Sequence, residues 1–466
     1  MNNVVRIQEV EVKDFKNVVN GNFAFESYRK KRFFDKSYTS DILGLYGQNG
    51  SGKTSMVEAI DILKVILSGG KLSSDTKKLL SYNKGESEFK YTFTIEIKEK
   101  KYLVYYRFKL RYIDEFKRID ICEESLRCAD IDREKKVVGK VKGIIEINMD
   151  ESFENIFRPI KNYKMITKKN EAYKTSLIVS KELAKESSNS FIFNNRSMTI
   201  FKEAFEDDTK VYYEIISSLK EYAIAAFVIK NDHLGSGGLN SMIPFSFMVK
   251  SEVGLARGTV SLSLFDTNTV GISMYNLLDS IVQQINIVLT SLIPGLTIEM
   301  KLIKEELIEN GEIGKVFELI SVRDGISIPL KYESDGIKKI ISVLSALIAM
   351  YNDEKICVVI DEFDSGIFEF LLGELLGVLK EKAKGQLIFT SHNLRALEVL
   401  DKTDIVFTTT NTNNRYIKMK NVKNSNNLRD FYLREIFLGG QSEPIYNKTK
   451  SYAISRAFRK AGKLYE

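Results

Sequence analysis

Gly47-Gln48-Asn49-Gly50-Ser51-Gly52-Lys53-Thr54 decides the reading of this chain. The stretch fits G-x-x-x-x-G-K-[ST]. The apolar run Ile42-Leu43-Gly44-Leu45-Tyr46 precedes it, and Ser55-Met56-Val57-Glu58-Ala59-Ile60-Asp61-Ile62-Leu63 follows. That is the strand, loop and helix order a phosphate-binding loop requires. Glycine lets successive backbone N–H groups turn inward on an anion where a Cβ would clash. The helix adds its unpaired N-terminal donors and the positive end of its dipole. Lys53 is expected to pair with the β- and γ-phosphates of a nucleoside triphosphate, and Thr54 to hold Mg²⁺ through its hydroxyl. A glycine-rich turn that binds nothing is the competing reading, and the flanking strand and helix argue against it.

The far end of the chain supplies the complement. Val358-Val359-Ile360-Asp361-Glu362 reads as an apolar strand ending in two carboxylates. Asp361 suits orientation of Mg²⁺, and Glu362 suits a general base for the attacking water. Acidic residues opening a helix are the bland alternative, but the β-branched run before them points to a strand end. Gln386-Leu387-Ile388-Phe389-Thr390-Ser391-His392 is a second such strand, closing on one of only two histidines in the chain. His392 stands where a γ-phosphate sensor is wanted.

Glu333-Ser334-Asp335-Gly336 opens a helical run with Ser334 as its cap. Taken alone this is an ordinary helix start. It lies 27 residues before Asp361, however, and His392 follows 31 residues after. With that order of signature, Walker B and histidine, the chain resembles the SMC/RecF/OLD-like branch of ABC-type ATPases. Within it, the chain is most similar to stand-alone ATPase subunits of bacterial anti-phage systems, such as the PARIS ATPase component. The resemblance implies an α/β fold: a P-loop ABC-type head with a mixed sheet, flanking helices and an antiparallel β subdomain, carrying an inserted helical arm. It also implies that Ser334 and Gly336 of one copy cap the ATP on the other copy's phosphate loop. A homodimer or larger even oligomer, using ATP and Mg²⁺, follows from that. Near the start, Val10-Glu11-Val12-Lys13-Asp14-Phe15-Lys16 carries the aromatic-plus-basic pair of the branch. Lys16 is then a contact to phosphate or ribose, or else a solvated lysine after a core phenylalanine. Two features depart from the pattern. No glutamine occurs between Gln48 and Gln283, so the glutamine loop has no obvious occupant. Phe368 stands in the D-loop, Ser365-Gly366-Ile367-Phe368, with Asp364 as a substitute for its usual polar contact.

The chain has 466 residues, 44% of them hydrophobic, and a net charge of +7, ample for a buried core. No apolar run nears the ~20 residues that span a bilayer, and the N-terminus lacks a signal core. Three cysteines without a C-x-x-C pair give no zinc hook. A cytoplasmic protein with no membrane partner is expected. The organisation expected is a first lobe over 1–150, a helical insertion over 151–291, a second lobe over 292–420 and a C-terminal appendage over 421–466. Strand-like runs are expected at Phe89–Glu96, Tyr102–Tyr112 and Gly143–Asn148, with Glu123-Glu124 as a weak candidate for lining the site. In the appendage, Leu428–Leu438 reads as an amphipathic helix, and Arg456, Arg459, Lys460 and Lys463 form a basic end suited to a partner, to nucleic acid or to simple solvation. The appendage is too short for the acidic-metal nuclease domain of OLD-like proteins. The function expected is an ATP-driven switch, the sensor or regulatory ATPase of an anti-phage system controlling a separate nuclease effector. The alternative is a RecF/SMC-like DNA-binding ATPase of DNA repair. A transporter-energising subunit conflicts with the long insertion and the missing glutamine loop.

Overall fold

The computed structural model describes residues 3–35, 40–80, 85–151, 156–230, 242–251, 254–308, 311–420 and 427–462. His233 and the glycine-rich stretch 234–241 lie outside them, as does Lys463. Two sheets organise the molecule. The central one has six strands in the order Tyr416–Ile417, Ile405–Thr408, Asp41–Tyr46, Gln386–Ser391, Cys357–Ile360, Ala226–Ile229. All pair in parallel except the short Tyr416–Ile417 edge. Their middle members are wholly buried, as expected for parallel strands covered on both faces. The loops that follow Tyr46, Ile360 and Ser391 therefore leave from the same edge of three adjacent strands, and a ligand crevice forms at such an edge.

The second sheet is antiparallel and has seven strands. It includes Val4–Phe15, Glu86–Ile97, Lys100–Ile113, Arg118–Asp132 and Lys142–Asn148, so the three strand-like runs of the sequence are strands. The helix Lys53–Ser68 after the phosphate loop packs between the sheets, burying Met56, Val57, Ile60, Leu63, Ile66 and Leu67. Polar side chains of the other sheet edge lock the two layers together. Gln386 bonds both backbone groups of Ile7, at 3.0 and 2.9 Å, and buried Arg6 meets Asp41 at 3.1 Å.

The stretch 151–291, read from the sequence as a helical insertion, is mostly packed against the rest of the molecule. Its helices Ile160–Lys169, Ala172–Glu186, Asn195–Ala204 and Lys210–Ala225 lie in the apolar core of the antiparallel sheet, through Tyr163, Ile166, Leu177, Phe201, Leu219 and Tyr222. Ala226–Ile229 then enters the central sheet, followed by a hairpin, Met242–Ser251 with Gly254–Ser263. The helix Ile272–Leu292 packs on the second core. A four-stranded sheet (268–329) leads into the signature helix Asp335–Asn352. The C-terminal helix Leu428–Leu438 also belongs to the body. Leu428, Phe431 and Tyr432 are buried, Tyr432 stacks on Phe407 with ring centres 5.1 Å apart, and Ile445 follows them into the core. Among the described helices only the last, Ser451–Gly462, has every residue exposed.

Candidate functional site: a phosphate loop facing two strand-end carboxylates

Gly47 lies so close to the Thr408 hydroxyl that any Cβ there would collide with it. Gly50 and Gly52 hold positive φ values of 74° and 91°, which glycine alone adopts without penalty. Ser51 steadies the turn by donating to the Gln48 carbonyl at 2.6 Å and bonding the Thr408 hydroxyl. Lys53 is buried and folds back over the loop, its Nζ 2.9 Å from the Gly47 carbonyl and 3.0 Å from that of Gln48. Burial lowers its pKa to about 8, against the opposing pull of Asp361, Glu362 and Asp364. A polyanion on the loop would take over these contacts and favour the ammonium.

The facing strand ends bring the carboxylates in. Thr390, fully buried, donates its hydroxyl to Asp361 Oδ1 at 2.6 Å and accepts the Glu362 N–H at 2.7 Å. Thr54 Oγ1 is 3.4 Å from the same Asp361 oxygen. A hydroxyl and a carboxylate converging in this way form the hard oxygen donor set that suits Mg²⁺. Asp364 adds a buried Oδ1 with no hydrogen-bond partner among the described residues, while its Oδ2 accepts the His392 N–H at 3.0 Å. His392 sits at the strand end with its ring partly open to solvent. Burial, then the Lys53 charge, hold its pKa below the usual value, although all three carboxylates oppose this.

Glu362 occupies left-handed backbone space at φ 46°, a conformation that costs a glutamate about 1–3 kcal/mol and persists only where neighbours impose it. One of those neighbours is Lys339 of the signature helix. It is buried, donates to the Glu362 carbonyl, and burial brings its pKa down to about 8 against the pull of Asp364, Glu362 and Asp361. A close backbone approach joins the same elements: a Cβ on Gly336 would lie 2.0 Å from the Gly366 carbonyl. In this chain, then, Gly336 lets the signature turn touch its own D-loop. Ser334 caps the signature helix by accepting the Ile337 N–H at 3.3 Å.

Among the expected residues, Gly47 to Thr54, Asp361, Glu362 and His392 converge, while Ser334 and Gly336 lie beside the D-loop. Lys16 lies on the flank of the loop helix, its Nζ 2.6 Å from Glu58. Glu123 and Glu124 lie in the antiparallel sheet. Glu123 pairs with Arg107 and Lys109, and Glu124 is buried, accepting from Tyr106 and Ser190. The sequence reading missed Thr390, Lys339, Asn17 and Tyr416. Asn17 bonds the Gly50 carbonyl and accepts from Ser55 at 3.1 Å; Tyr416 donates to the Gly52 carbonyl at 2.6 Å. A signal existed for Thr390, a hydroxyl inside an otherwise apolar strand just before His392. It also missed a strap: the Asn447 N–H donates to the Gln48 side chain at 3.0 Å, and Pro444 accepts the Thr410 N–H at 2.9 Å.

A family model described as "AAA domain, putative AbiEii toxin, Type IV TA system" matches residues 42–398. No curated protein matches the chain. Solved structures similar to it include an Smc head domain with an extended coiled coil bound to the C-terminal domain of ScpA, derived from Pyrococcus furiosus (14% identity, TM-score 0.39, 89% of this chain and 96% of that one). The SMC head domain from Thermotoga maritima (13%, 0.35, 89% and 99%) and the recombination mediator protein RecF-ATPrS of the RecFOR pathway (13%, 0.37, 88% and 98%) are others.

Proposed function

The chain belongs to the family described as AAA domain, putative AbiEii toxin, Type IV TA system, whose model covers well over half of it, and from that premise we propose an ATP-hydrolysing switch that closes as a dimer. The observation that carries the reading is the convergence on Asp361 of Thr54 from the phosphate loop and Thr390 from the neighbouring strand. Mg²⁺ held by Thr54 and Asp361 would neutralise charge on the triphosphate. Lys53 holds the phosphates, Glu362 accepts a proton from water, and His392 is a hydrogen-bond sensor at the strand end. Lys339 keeps the Glu362 backbone in its constrained shape. Ser334, exposed at its helix start, is free to cap a nucleotide held by a second copy.

The test separates the roles. Lys53→Ala is expected to abolish nucleotide binding, whereas Glu362→Gln keeps binding and stops turnover, since an amide preserves shape but is no base. Ser334→Arg and Lys53→Ala, each inactive, are expected to regain some activity when mixed, because a mixed dimer contains one site with both halves intact. Normal turnover in Glu362→Gln removes the assigned base, and a mixture that stays inactive at every ratio removes the composite site.

The switch is proposed to act on a separate effector such as a nuclease, as the sensor ATPase of an anti-phage system. Support comes from the family description, which names a putative AbiEii toxin of a Type IV TA system. The second reading, a DNA-binding repair ATPase, is favoured by the exposed basic residues Arg456, Arg459 and Lys460. Salt-dependent DNA binding by the purified chain alone points to repair, and co-purification with a nuclease-like protein points to defence.

A further inference from the structure

Two exposed apolar patches lie at opposite ends of the nucleotide machinery. The first is on the terminal helix Ser451–Gly462. Helical spacing puts Ala453, Ile454, Ala457, Phe458 and Ala461 on one stripe, with Arg456 and Arg459 on the opposite side and Lys460 at the stripe's edge. Ile454 is 46% exposed and Phe458 76%. A 12-residue helix is marginal by itself in water, so its apolar stripe calls for a partner. The strap fixes where this helix begins. Asn447 is bonded to Gln48 of the phosphate loop and Ile445 is buried. The four residues from Asn447 to Ser451 span at most about 14 Å, so the helix starts beside the mouth of the loop.

The second patch flanks the signature. Tyr332, 71% exposed, immediately precedes the Glu333-Ser334-Asp335-Gly336 turn, and Phe368, 67% exposed, ends the D-loop. The Gly336–Gly366 backbone contact brings these two segments together. Phe368 and Phe370 add a ring pair at 5.6 Å. The exposed carboxylates here are Asp335, which also pairs with Lys338, and Glu369. Lys331 and Arg395 lie over the faces of Tyr332 and Phe370, and Arg395 is engaged by Glu398.

We propose that the terminal helix of one copy docks, through Ile454 and Phe458, on the Tyr332–Phe368 patch of a second copy. This rests on the composite-site reading, which sets the phosphate loop of one copy against the signature of the other. That arrangement carries the strap-tethered helix to the partner's signature face. Apolar stripe then meets apolar patch, and Arg456, Arg459 and Lys460 face an edge that includes Asp335 and Glu369. Each composite site gains a brace across it. Phe368, which departs from the D-loop pattern in sequence, acquires a role as an anchor for that brace.

The experiment uses the full chain carrying Glu362→Gln, with ATP and Mg²⁺, and reads dimerisation by sedimentation velocity. Adding Ile454→Asp with Phe458→Asp is expected to weaken the dimer by roughly tenfold or more, because two large apolar side chains lose their burial. The affinity of the monomer for a fluorescent ATP analogue should be unchanged. Both residues are exposed in the single chain, so the fold tolerates the change. A mixture of two populations, one with Phe458→Cys and one with Phe368→Cys, is expected to cross-link with a short bismaleimide only when ATP is present; Cys122, Cys128 and Cys357 are all buried. Equal dimerisation by parent and aspartate variant overturns the brace while leaving the composite site standing. Loss of DNA retention with dimerisation unchanged also overturns it and assigns the helix to nucleic acid. A Glu362→Gln parent that never dimerises with ATP removes the composite-site reading, and the brace with it.

Discussion

Replacing Thr390 by valine removes one hydroxyl and almost no volume, yet that hydroxyl bonds both strand-end residues, the carboxylate of Asp361 and the backbone of Glu362. It donates to Asp361 at 2.6 Å and accepts the Glu362 N–H at 2.7 Å. A hydrogen bond to a charged group contributes about 1.5–3 kcal/mol, and a buried N–H left unpaired costs about 1–3 kcal/mol. The fold should therefore lose about 2.5–6 kcal/mol, visible as a lower melting temperature. If only the bond to Asp361 bears on the transition state, kcat falls about 10- to 150-fold. Apparent affinity for ATP should change little, because the loop and Lys53 are untouched. Thr390→Ser separates hydroxyl from bulk: it keeps both bonds, loses one buried methyl, and should return kcat to within about threefold for a cost near 1 kcal/mol. Steady-state phosphate release and thermal unfolding of the three proteins are the assays. A valine variant as fast as the parent, or a serine variant as slow as valine, refutes the reasoning.

Three further outcomes follow from the geometry. Because burial holds free Lys53 near pKa 8 and phosphates favour its ammonium, nucleotide affinity should fall as pH rises through about 8, by up to about tenfold per pH unit; calorimetry at pH 7, 8 and 9 checks this, and a flat profile means the lysine is already charged at pH 9. Truncation after Lys420 removes the buried Leu428, Phe431, Tyr432 and Ile445; at about 1.5–3 kcal/mol each this nears the whole stability of a domain, so that protein should be insoluble, whereas truncation after Lys450 should melt like the full chain. Gly336→Ala, whose Cβ would meet the Gly366 carbonyl at 2.0 Å, should destabilise by about 1–3 kcal/mol, while Gly377→Ala, with ordinary 3.5 Å contacts in a helix, should be neutral or stabilise by up to about 1 kcal/mol; equal melting temperatures would contradict the contact.

What could be read from the chain was local. The phosphate loop, the Asp361–Glu362 strand end and the cap at Ser334 are each a few consecutive residues whose backbone needs dictate their side chains. Partnership was harder to read. Leu428, Phe431 and Tyr432 form an evident apolar stripe, but a stripe does not name the surface that covers it, and the covering surface is Phe407 and its neighbours. The same holds for the helices of 160–225, whose periodicity fits an arm as well as a layer on a sheet. Ala226–Ile229 continues the apolar run of the preceding helix, so a four-residue strand there has no signature of its own. Lys16 illustrates the same limit: the sequence left a nucleotide contact and a solvated lysine both open, and neither reading names Glu58 on the loop helix as its ion-pair partner.

The strand order of the central sheet has a consequence for how the protein is made. Asp41–Tyr46 leaves the ribosome well before its two sheet neighbours, Gln386–Ser391 and Ile405–Thr408, and the Thr408 hydroxyl bonds the Tyr46 carbonyl across 362 residues of chain. At typical elongation rates that interval lasts about 20–70 s. For all of it a strand that is wholly buried in the finished fold, and the loop it carries, wait without a sheet to join. Until Ile405–Thr408 has emerged, the phosphate loop lacks the strands that flank its own, and until then that strand is a natural client for chaperones.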